Sequence, residues 1–345
     1  MKTVEEIFTY ERLYKSFRDC KAGHMWKSSV IAFEMGYVGR LLKLEEEIQN
    51  DRYNAMADNI TYICERGKVR QIHSQHIRDR IVHKVINQDI LIPTFHKQFI
   101  RQNTASQIGK GIDFAMKTLK CHLNRAYRKR GKDFYVLSID MKSYFASIPH
   151  WYIKQLLREK IDDERILWLC ETPLRSYGGD KGIGLGSEMN QTYALLCLDE
   201  FDHIIKERYR VKEYARYMDD IYLMSNDKEL LQEILDFAEE YFASIDMQMN
   251  TKKTCIFPIK NGITFLGFRW RLTDTGHVAM VPKKQTIIRN KRKMRKLRLK
   301  YLSGEFTFPE IQNSYASMRG NIGRSNCHAV VKSMDDYYHK LYGGD

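Results

Sequence analysis

The sequence contains no apolar run near the ~20 residues that a membrane-spanning helix needs; its greasiest stretch, Tyr193 to Leu198, is far shorter. The N-terminus, Met1-Lys2-Thr3-Val4-Glu5-Glu6, puts acids where a signal peptide needs its apolar segment, which reads against secretion. None of the seven cysteines forms a Cys-x-x-Cys pair, so no zinc knuckle is spelled out, and reduced thiols in a cytoplasm are the expectation. The eleven histidines show no His-Glu-x-x-His spacing. Gly109-Lys110-Gly111 lacks the Ser or Thr after lysine and the preceding strand that a P-loop requires. No repeat or low-complexity tract is present, which excludes a solenoid. With 43% hydrophobic residues and ordinary glycine and proline content, disorder is not the default either.

The chain does have positive charge, +14 overall. From Lys283 to Lys300, ten of eighteen residues are Lys or Arg and none is acidic. A charge run is often only a solvated helix face. Here Ile287, Ile288, Met294, Leu297 and Leu299 interleave with the cations, so a helix can dock through one side and present a basic face on the other. A polyanion such as nucleic acid is the economical partner.

Residues 1 to about 60 read as helical, with Leu41, Leu42, Leu44 and Ile48 on one face. Tyr62 to Ile72 reads as two short strands around Glu65-Arg66-Gly67. Helices are predicted over roughly 77–92, ended by Pro93, and over about 112–130, stopped by Gly131. Phe134 to Asp140 is β-rich and ends on an acid. Helix is predicted over 150–170 and again over 187–207 after a glycine-rich loop, Tyr177 to Gly186. Tyr214 to Met224 reads as strand, acidic turn, strand; Leu230 to Ile245 as a helix; Ile263 to Phe268 as a hairpin; and everything from 283 as basic helix. Pattern alone supports an α+β enzyme.

Phosphoryl transfer from a nucleoside triphosphate calls for divalent metals that stabilise attacking and leaving oxygens. Magnesium keeps several waters and takes few carboxylates from protein, so two strand-end sites that converge are sufficient. Asp140, at a strand end, and Asp219-Asp220, at a hairpin tip, meet that need. A bare Asp-Asp is commonly a solvated turn. Arg216-Tyr217-Met218-Asp219-Asp220-Ile221-Tyr222-Leu223, however, sets these acids inside an apolar hairpin, where unpaired carboxylates are costly and a cation is expected.

Tyr217-Met218-Asp219-Asp220 in such a hairpin resembles the signature of reverse transcriptases, and other blocks follow in that family's order. Asp140 to Ile148 resembles the first palm motif, D-x-x-x-x-F-x-x-I. Gly182 to Gln191 resembles the G-x-x-x-S-Q block of diversity-generating retroelement enzymes. Met249-Asn250-Thr251-Lys252-Lys253-Thr254 resembles L-N-x-x-K-T, and Phe265-Leu266-Gly267 the F-L-G of the primer grip. Lys68-x-Arg70 and Arg78-Asp79-Arg80 resemble the fingers blocks. The likeness runs from about residue 10 to 325 and identifies the chain as similar to a prokaryotic reverse transcriptase, either diversity-generating or defence-associated.

The resemblance implies a right-hand polymerase: fingers over 1–133 with a 149–189 insertion, a palm with antiparallel sheet over 134–148 and 190–282, and a basic helical thumb over 283–345. It implies that Asp140, Asp219 and Asp220, with the Met141 carbonyl, hold two Mg²⁺ ions, Mn²⁺ being an alternative. Lys68 and Arg70 would clamp the triphosphate, Arg through its planar fork. Phe145 would lie beneath the sugar and exclude a 2′-hydroxyl. Lys253 would give a proton to the leaving pyrophosphate, and Gly186 and Gln191 would line the nucleotide pocket. Tyr217, Met218, Phe265, Leu266 and Gly267 would steady primer and template, with Gly267 permitting close backbone approach. Lys291, Arg292 and Arg295 would track the RNA–DNA duplex by its phosphates. Gly109-Lys110-Gly111 would touch template backbone.

Asn190, Glu188 and Gln107 depart from the retroelement pattern. The short stretch after the thumb implies no RNase H or endonuclease domain. Trp26-Lys27 and Tyr315-x-x-Met318-Arg319-Gly320 resemble the retroelement enzymes, whereas the altered 182–191 loop tilts the expectation towards anti-phage defence. That setting brings a noncoding RNA and an accessory protein or second reverse transcriptase. A polymerase-like RNA-binding scaffold without catalysis is the alternative of a different class.

Overall fold

The computed structural model describes residues Lys2–Glu65 and Lys68–Gly343. The N-terminal helices are α1 (Val4–Ile7), α2 (Tyr10–Lys21), α3 (Ser28–Glu34) and α4 (Tyr37–Gln49). Thr9 caps α2 by accepting the Arg12 N–H, and Leu13, Phe17 and Cys20 recur at helical spacing on its buried face. Strands β1 (Asn59–Glu65) and β2 (Lys68–Ser74) then pair as an antiparallel hairpin, from Asn59↔Ser74 to Glu65↔Lys68. Ile60, Tyr62, Ile63 and Val69 of this hairpin are all exposed.

After the hairpin, α5 (Ile77–Ile86) packs Ile81, Val82, Val85 and Ile86 inward, and the Ser16 hydroxyl of α2 donates to Ile81 O at 2.9 Å. Pro93 does not end this helix. A π turn over Asn87–Leu91 lets Ile92 N–H bond Asn87 O, so α6 (Ile92–Phe95) starts afresh with Pro93 in its first turn, where no N–H is needed. Helix α7 (Ile112–Arg130) stops at Gly131, φ +61°, as expected.

The middle of the chain carries β3 (Tyr135–Ile139), α8 (Tyr144–Ser147), α9 (His150–Arg158), α10 (Glu164–Cys170), α11 (Thr172–Tyr177), α12 (Glu188–Leu196) and α13 (Asp199–Glu207). The two long helices expected over 150–170 and 187–207 are each broken in two. Asp163 makes the first break by capping α10 through Arg165 N–H and Ile166 N–H. Strands β4 (Glu213–Tyr217) and β5 (Asp220–Ser225), helix α14 (Lys228–Ser244), and strands β6 (Cys255–Pro258), β7 (Ile263–Phe265), β8 (Phe268–Leu272) and β9 (Val278–Pro282) follow. Helices α15 (Lys284–Leu302), α16 (Phe308–Gly323) and α17 (His328–Tyr342) complete the described chain.

Among the described residues the strands form three sheets: β1-β2, a four-stranded sheet in the order β4-β5-β3-β6, and β7-β8-β9. Ile221 to Met224 of β5 are buried without alternation, the pattern of a strand covered on both faces. The chain divides into two compact units. The first comprises Met1–Ala115, Ile139–Ile221 and Glu233–Thr254, and the second Met116–Ser138, Tyr222–Gln232 and Cys255–Asp345. In the second unit, α15, α16 and α17 bury Met294, Leu297, Ile311, Tyr315, Met318, Ile322 and Met334 against one another. Tyr315 and Tyr338 stack with centroids 4.0 Å apart, and the Tyr342 hydroxyl donates to Met294 O at 2.6 Å.

Candidate active site

Strands β4 and β5 are joined by a two-residue turn, Met218-Asp219, in which Met218 adopts φ +55°. A non-glycine residue in the left-handed region is uncommon and needs support from its surroundings. Arg216 supplies much of it. Its side chain is fully buried, with Nη2 2.6 Å from the equally buried Asp202. It also donates to Leu195 O at 3.0 Å and, more weakly, to Met218 O at 3.4 Å. The Arg216 main chain is pinned as well, its N–H to Gln102 O and its O to Thr104 N–H. The Tyr214 hydroxyl adds a third donor to Asp202. Sequence reasoning missed this anchor, because Asp202 lies on α13 with nothing local to mark it as the partner of Arg216.

Asp140 follows β3. Its carboxylate accepts from Lys253 Nζ at 2.7 and 2.8 Å and from Asn250 Nδ2 at 3.1 Å. Asn250 N–H reaches Asp140 O at 2.7 Å and Lys142 N–H reaches Gln248 O at 2.9 Å. These bonds flank the Met141↔Met249 bridge, and neither uses the Met141 carbonyl. Burial pushes the Asp219 carboxyl up, and the Asp140 charge pushes it further, while Lys253 and Arg70 oppose the rise. Asp140, Lys253 and Arg70, from three separate segments, therefore all act on Asp219. Asp220 is half-buried at the start of β5. Among the described residues no group of three or more His, Cys, Asp or Glu side chains is disposed as a metal cage. The donors here are all oxygen, the set a hard divalent cation takes, and the ammonium of Lys253 shares Asp140 with any such ion.

The other expected residues fall into place unevenly. The Lys68 side chain lies outside the described residues; Arg70 is exposed on β2. Phe145 is half-exposed, edge-on to the buried Tyr144, and its carbonyl accepts Ile183 N–H at 2.8 Å, so it is no core aromatic. Gln191 accepts from Ser106 Oγ at 2.7 Å. In the glycine loop, a Cβ on Gly184 would stand 2.6 Å from His73 Cβ, whereas one on Gly186 would make only ordinary contact. The departures have structural jobs: Asn190 Nδ2 holds Gly184 O at 2.8 Å, and Glu188 pairs with Lys84 at 3.1 Å. Lys110 is half-buried and donates to Ile100 O, Asn103 O and Gln107 Oε1, so it ties its own loop instead of facing a template.

In the second unit Phe265 is buried edge-on against Tyr222, with centroids 5.1 Å apart, so only its backbone is presented outward. Leu266 and Gly267 form the β7–β8 turn with φ +50° and +85°, the two positive angles of a type I′ hairpin. A Cβ on Gly267 would meet nothing within 4 Å. Its positive φ by itself favours glycine here, and the space around its Cα is open. On α15, Lys291 Nζ lies 4.9 Å from the Tyr337 ring centroid and Arg295 Nε donates to the Tyr337 hydroxyl at 2.7 Å, while Arg292 is exposed.

A family model described as reverse transcriptase (RNA-dependent DNA polymerase) matches residues 56–270. Protein YkfC of Escherichia coli (strain K12) is 22% identical over 268 residues, which are 66% of this chain and 70% of that protein. Among solved structures, apo telomerase from Candida tropicalis, truncated from its C-terminal domain, superposes with a TM-score of 0.51 at 12% identity over 71% of this chain. Telomerase from Candida albicans in complex with a TWJ fragment of telomeric RNA gives 0.52 at 12% identity over 89%. The chain spans 60% of the length of each of these telomerase chains, and at such identity the likeness is one of fold.

Proposed function

The chain belongs to the reverse transcriptase (RNA-dependent DNA polymerase) family and has the right-hand polymerase fold, and on that premise we propose that it is an RNA-directed DNA polymerase reacting at Asp140, Asp219 and Asp220. The observation that carries this reading is Asp140, gripped by Lys253 and Asn250, within electrostatic reach of the buried Asp219 at the β4–β5 turn. A carboxyl raised first by burial and then by a neighbouring carboxylate favours a cation beside it. The proposed fingers are 1–133 with 149–189, the palm 134–148 and 190–282, and the thumb 283–345.

Asp140, Asp219, Asp220 and the Met141 carbonyl would hold two Mg²⁺ ions, which when bound supply charge stabilisation to the attacking and departing oxygens. Around them the chain's own groups position the substrate. Arg70, with Lys68, receives the triphosphate. Phe145 forms the floor under the deoxyribose, where a 2′-hydroxyl would clash with its ring. Lys253, 53% exposed, moves from Asp140 to the pyrophosphate and delivers a proton there. The turn at Leu266-Gly267 presents backbone to the primer end, and the exposed cations of α15 hold the duplex.

The biological setting proposed is anti-phage defence with a noncoding RNA and an accessory protein. The departures at Glu188 and Asn190 from the retroelement pattern in the 182–191 loop support it over diversification. Primer extension on an RNA template with dNTPs and Mg²⁺ tests the chemistry. Asp219→Ala is expected to lose about a thousandfold in rate, the equivalent of several kcal/mol of charge stabilisation. Absence of incorporation by the unaltered protein with its native RNA would leave a binding scaffold instead. Equal use of rNTPs and dNTPs would remove the role of Phe145.

A further inference from the structure

The polymerase reading uses the cations of α15 but leaves a second basic surface without a task. Seven residues of Lys117–Lys132 are Lys or Arg and none is acidic. Set aside this segment and Lys283–Lys300, and the rest of the chain carries a net charge of −3. The positive charge is therefore gathered on two helices, and α7 is one of them.

Helix α7 turns Ala115, Met116, Leu119, Leu123 and Ala126 inward. Lys117, Lys120, Cys121, Asn124 and Arg128 recur at three- and four-residue intervals on the opposite side, as one stripe. No carboxylate among the described residues pairs with Lys117, Lys120 or Arg128. From Lys117 to Arg128 the stripe spans about 16 Å at ~1.5 Å per residue. It opens into a groove of about 450 Å³, walled on one side by Lys120, Asn124 and Arg128 and on the other by Thr275, Gly276 and His277 of the β8–β9 turn.

The groove is built firmly. A Cβ on Gly276 would stand 2.1 Å from Tyr127 Cε1, so only glycine lets the turn lie on that ring. The Tyr127 hydroxyl donates to Asp274 O at 2.6 Å, and Lys132 neutralises the Asp274 carboxylate at 2.5 Å. Asn326 accepts Met280 N–H at 2.7 Å and donates to Val278 O at 3.0 Å, holding β9 in place.

We propose that α7 and the β8–β9 turn form a docking groove for the backbone of double-stranded RNA, separate from the duplex contact assigned to α15. Unpaired cations in a line suit phosphates. Tyr127, the one Phe, Tyr or Trp lining the groove, is covered by the turn and has its hydroxyl engaged, so its ring is not offered to an unpaired base. Asn124, Thr275 and His277 offer polar atoms of the kind that meet 2′-hydroxyls across the minor groove of an A-form helix. The proposal goes beyond the polymerase reading and does not depend on catalysis.

Binding of a fluorescent RNA hairpin, measured by anisotropy across a salt series without nucleotide or divalent metal, tests it. Lys117→Gln/Lys120→Gln/Arg128→Gln is expected to weaken binding at least about tenfold and to reduce the salt slope by about 3, one for each phosphate no longer neutralised. An equal loss on single-stranded DNA would overturn the assignment to duplex RNA, and an unchanged affinity and slope would overturn the groove. Alkylation of Cys121 in the unaltered protein gives a readout that no folding defect can mimic. The hairpin should slow modification of Cys121, exposed on the stripe, while leaving Cys64, exposed on β1, unprotected. Equal rates at Cys121 with and without RNA would refute docking here. Because neither measurement involves nucleotide incorporation, a chain that failed to polymerise would leave this result standing on its own.

Discussion

Removing Asp202 strands a buried charge beneath the hairpin that carries Asp219 and Asp220. Arg216 and Asp202 are both 0% exposed, and three of the guanidinium's hydrogen bonds end on that one carboxylate. Loss of one partner from such a pair costs about 3–5 kcal/mol, most of it the penalty of the charge left behind. At roughly 2–4 °C per kcal/mol, Asp202→Ala should melt about 6–20 °C below the parent. Asp202→Leu with Arg216→Met replaces the pair by apolar volume and should recover at least half of that loss. The Tyr214 hydroxyl then lacks an acceptor, at a cost of about 1–3 kcal/mol, and Tyr214→Phe should return part of the remainder. Activity should behave differently. The paired replacement, with or without Tyr214→Phe, lacks the Arg216 side-chain contacts to Leu195 O and Met218 O, so its polymerisation should stay about tenfold down while stability recovers. Thermal melting and primer extension on the same preparations read both quantities. Asp202→Ala melting within about 1 °C of the parent, or the paired replacement melting below it, would refute the reasoning.

Gly267→Ala should cost about 1–2 kcal/mol, because the left-handed backbone is strained for alanine although the space is open, and Gly267→Asn should cost less since asparagine tolerates that region; melting temperatures of the two variants decide it. Asp199, buried beside Asp202, has its carboxyl pushed up to about 6. A raised acid stabilises the fold fully below the unfolded value near 4 and loses that contribution as pH climbs through about 6, a difference of roughly 3 kcal/mol. Asp199→Asn escapes this decline, so its melting temperature relative to the parent should rise by several degrees between pH 4.5 and pH 8, and a flat difference across that range would count against the raised carboxyl.

The hairpin around Asp219-Asp220 was legible because strand, turn and strand are adjacent in sequence and their apolar flanks are explicit. Lys253 and Asn250 were legible only as members of a motif; that they grip Asp140 depends on pairing across more than a hundred residues. Pro93 misled because its usual effect assumes an uninterrupted α-helix, and the π turn before it changes which donor is missing. Strands β6 and β9 went unread: each is only four or five residues long and takes its place from neighbouring strands, not from its own periodicity. The basic run of α15 was conspicuous as a block. The stripe on α7 was not, since its cations are spaced among apolar residues and align only when the helix is wound. Gly267 shows the same limit at a single residue, for a glycine in sequence does not say whether conformation or clearance requires it.

The β1–β2 hairpin carries a consequence for hydrogen exchange. Its seven residue pairs hold one another, yet Ile60, Tyr62, Ile63 and Val69 cover no core. Opening it sacrifices little buried surface, so its amides should exchange through local fluctuations at low free energy. Ile221 to Met224 of β5 are buried throughout, and their amides should be released only when the surrounding structure unfolds. Arg70 therefore rides on the least protected strand and Asp219-Asp220 adjoin one of the most protected. A bound triphosphate would register as new protection on β2, with almost no change at the acids themselves.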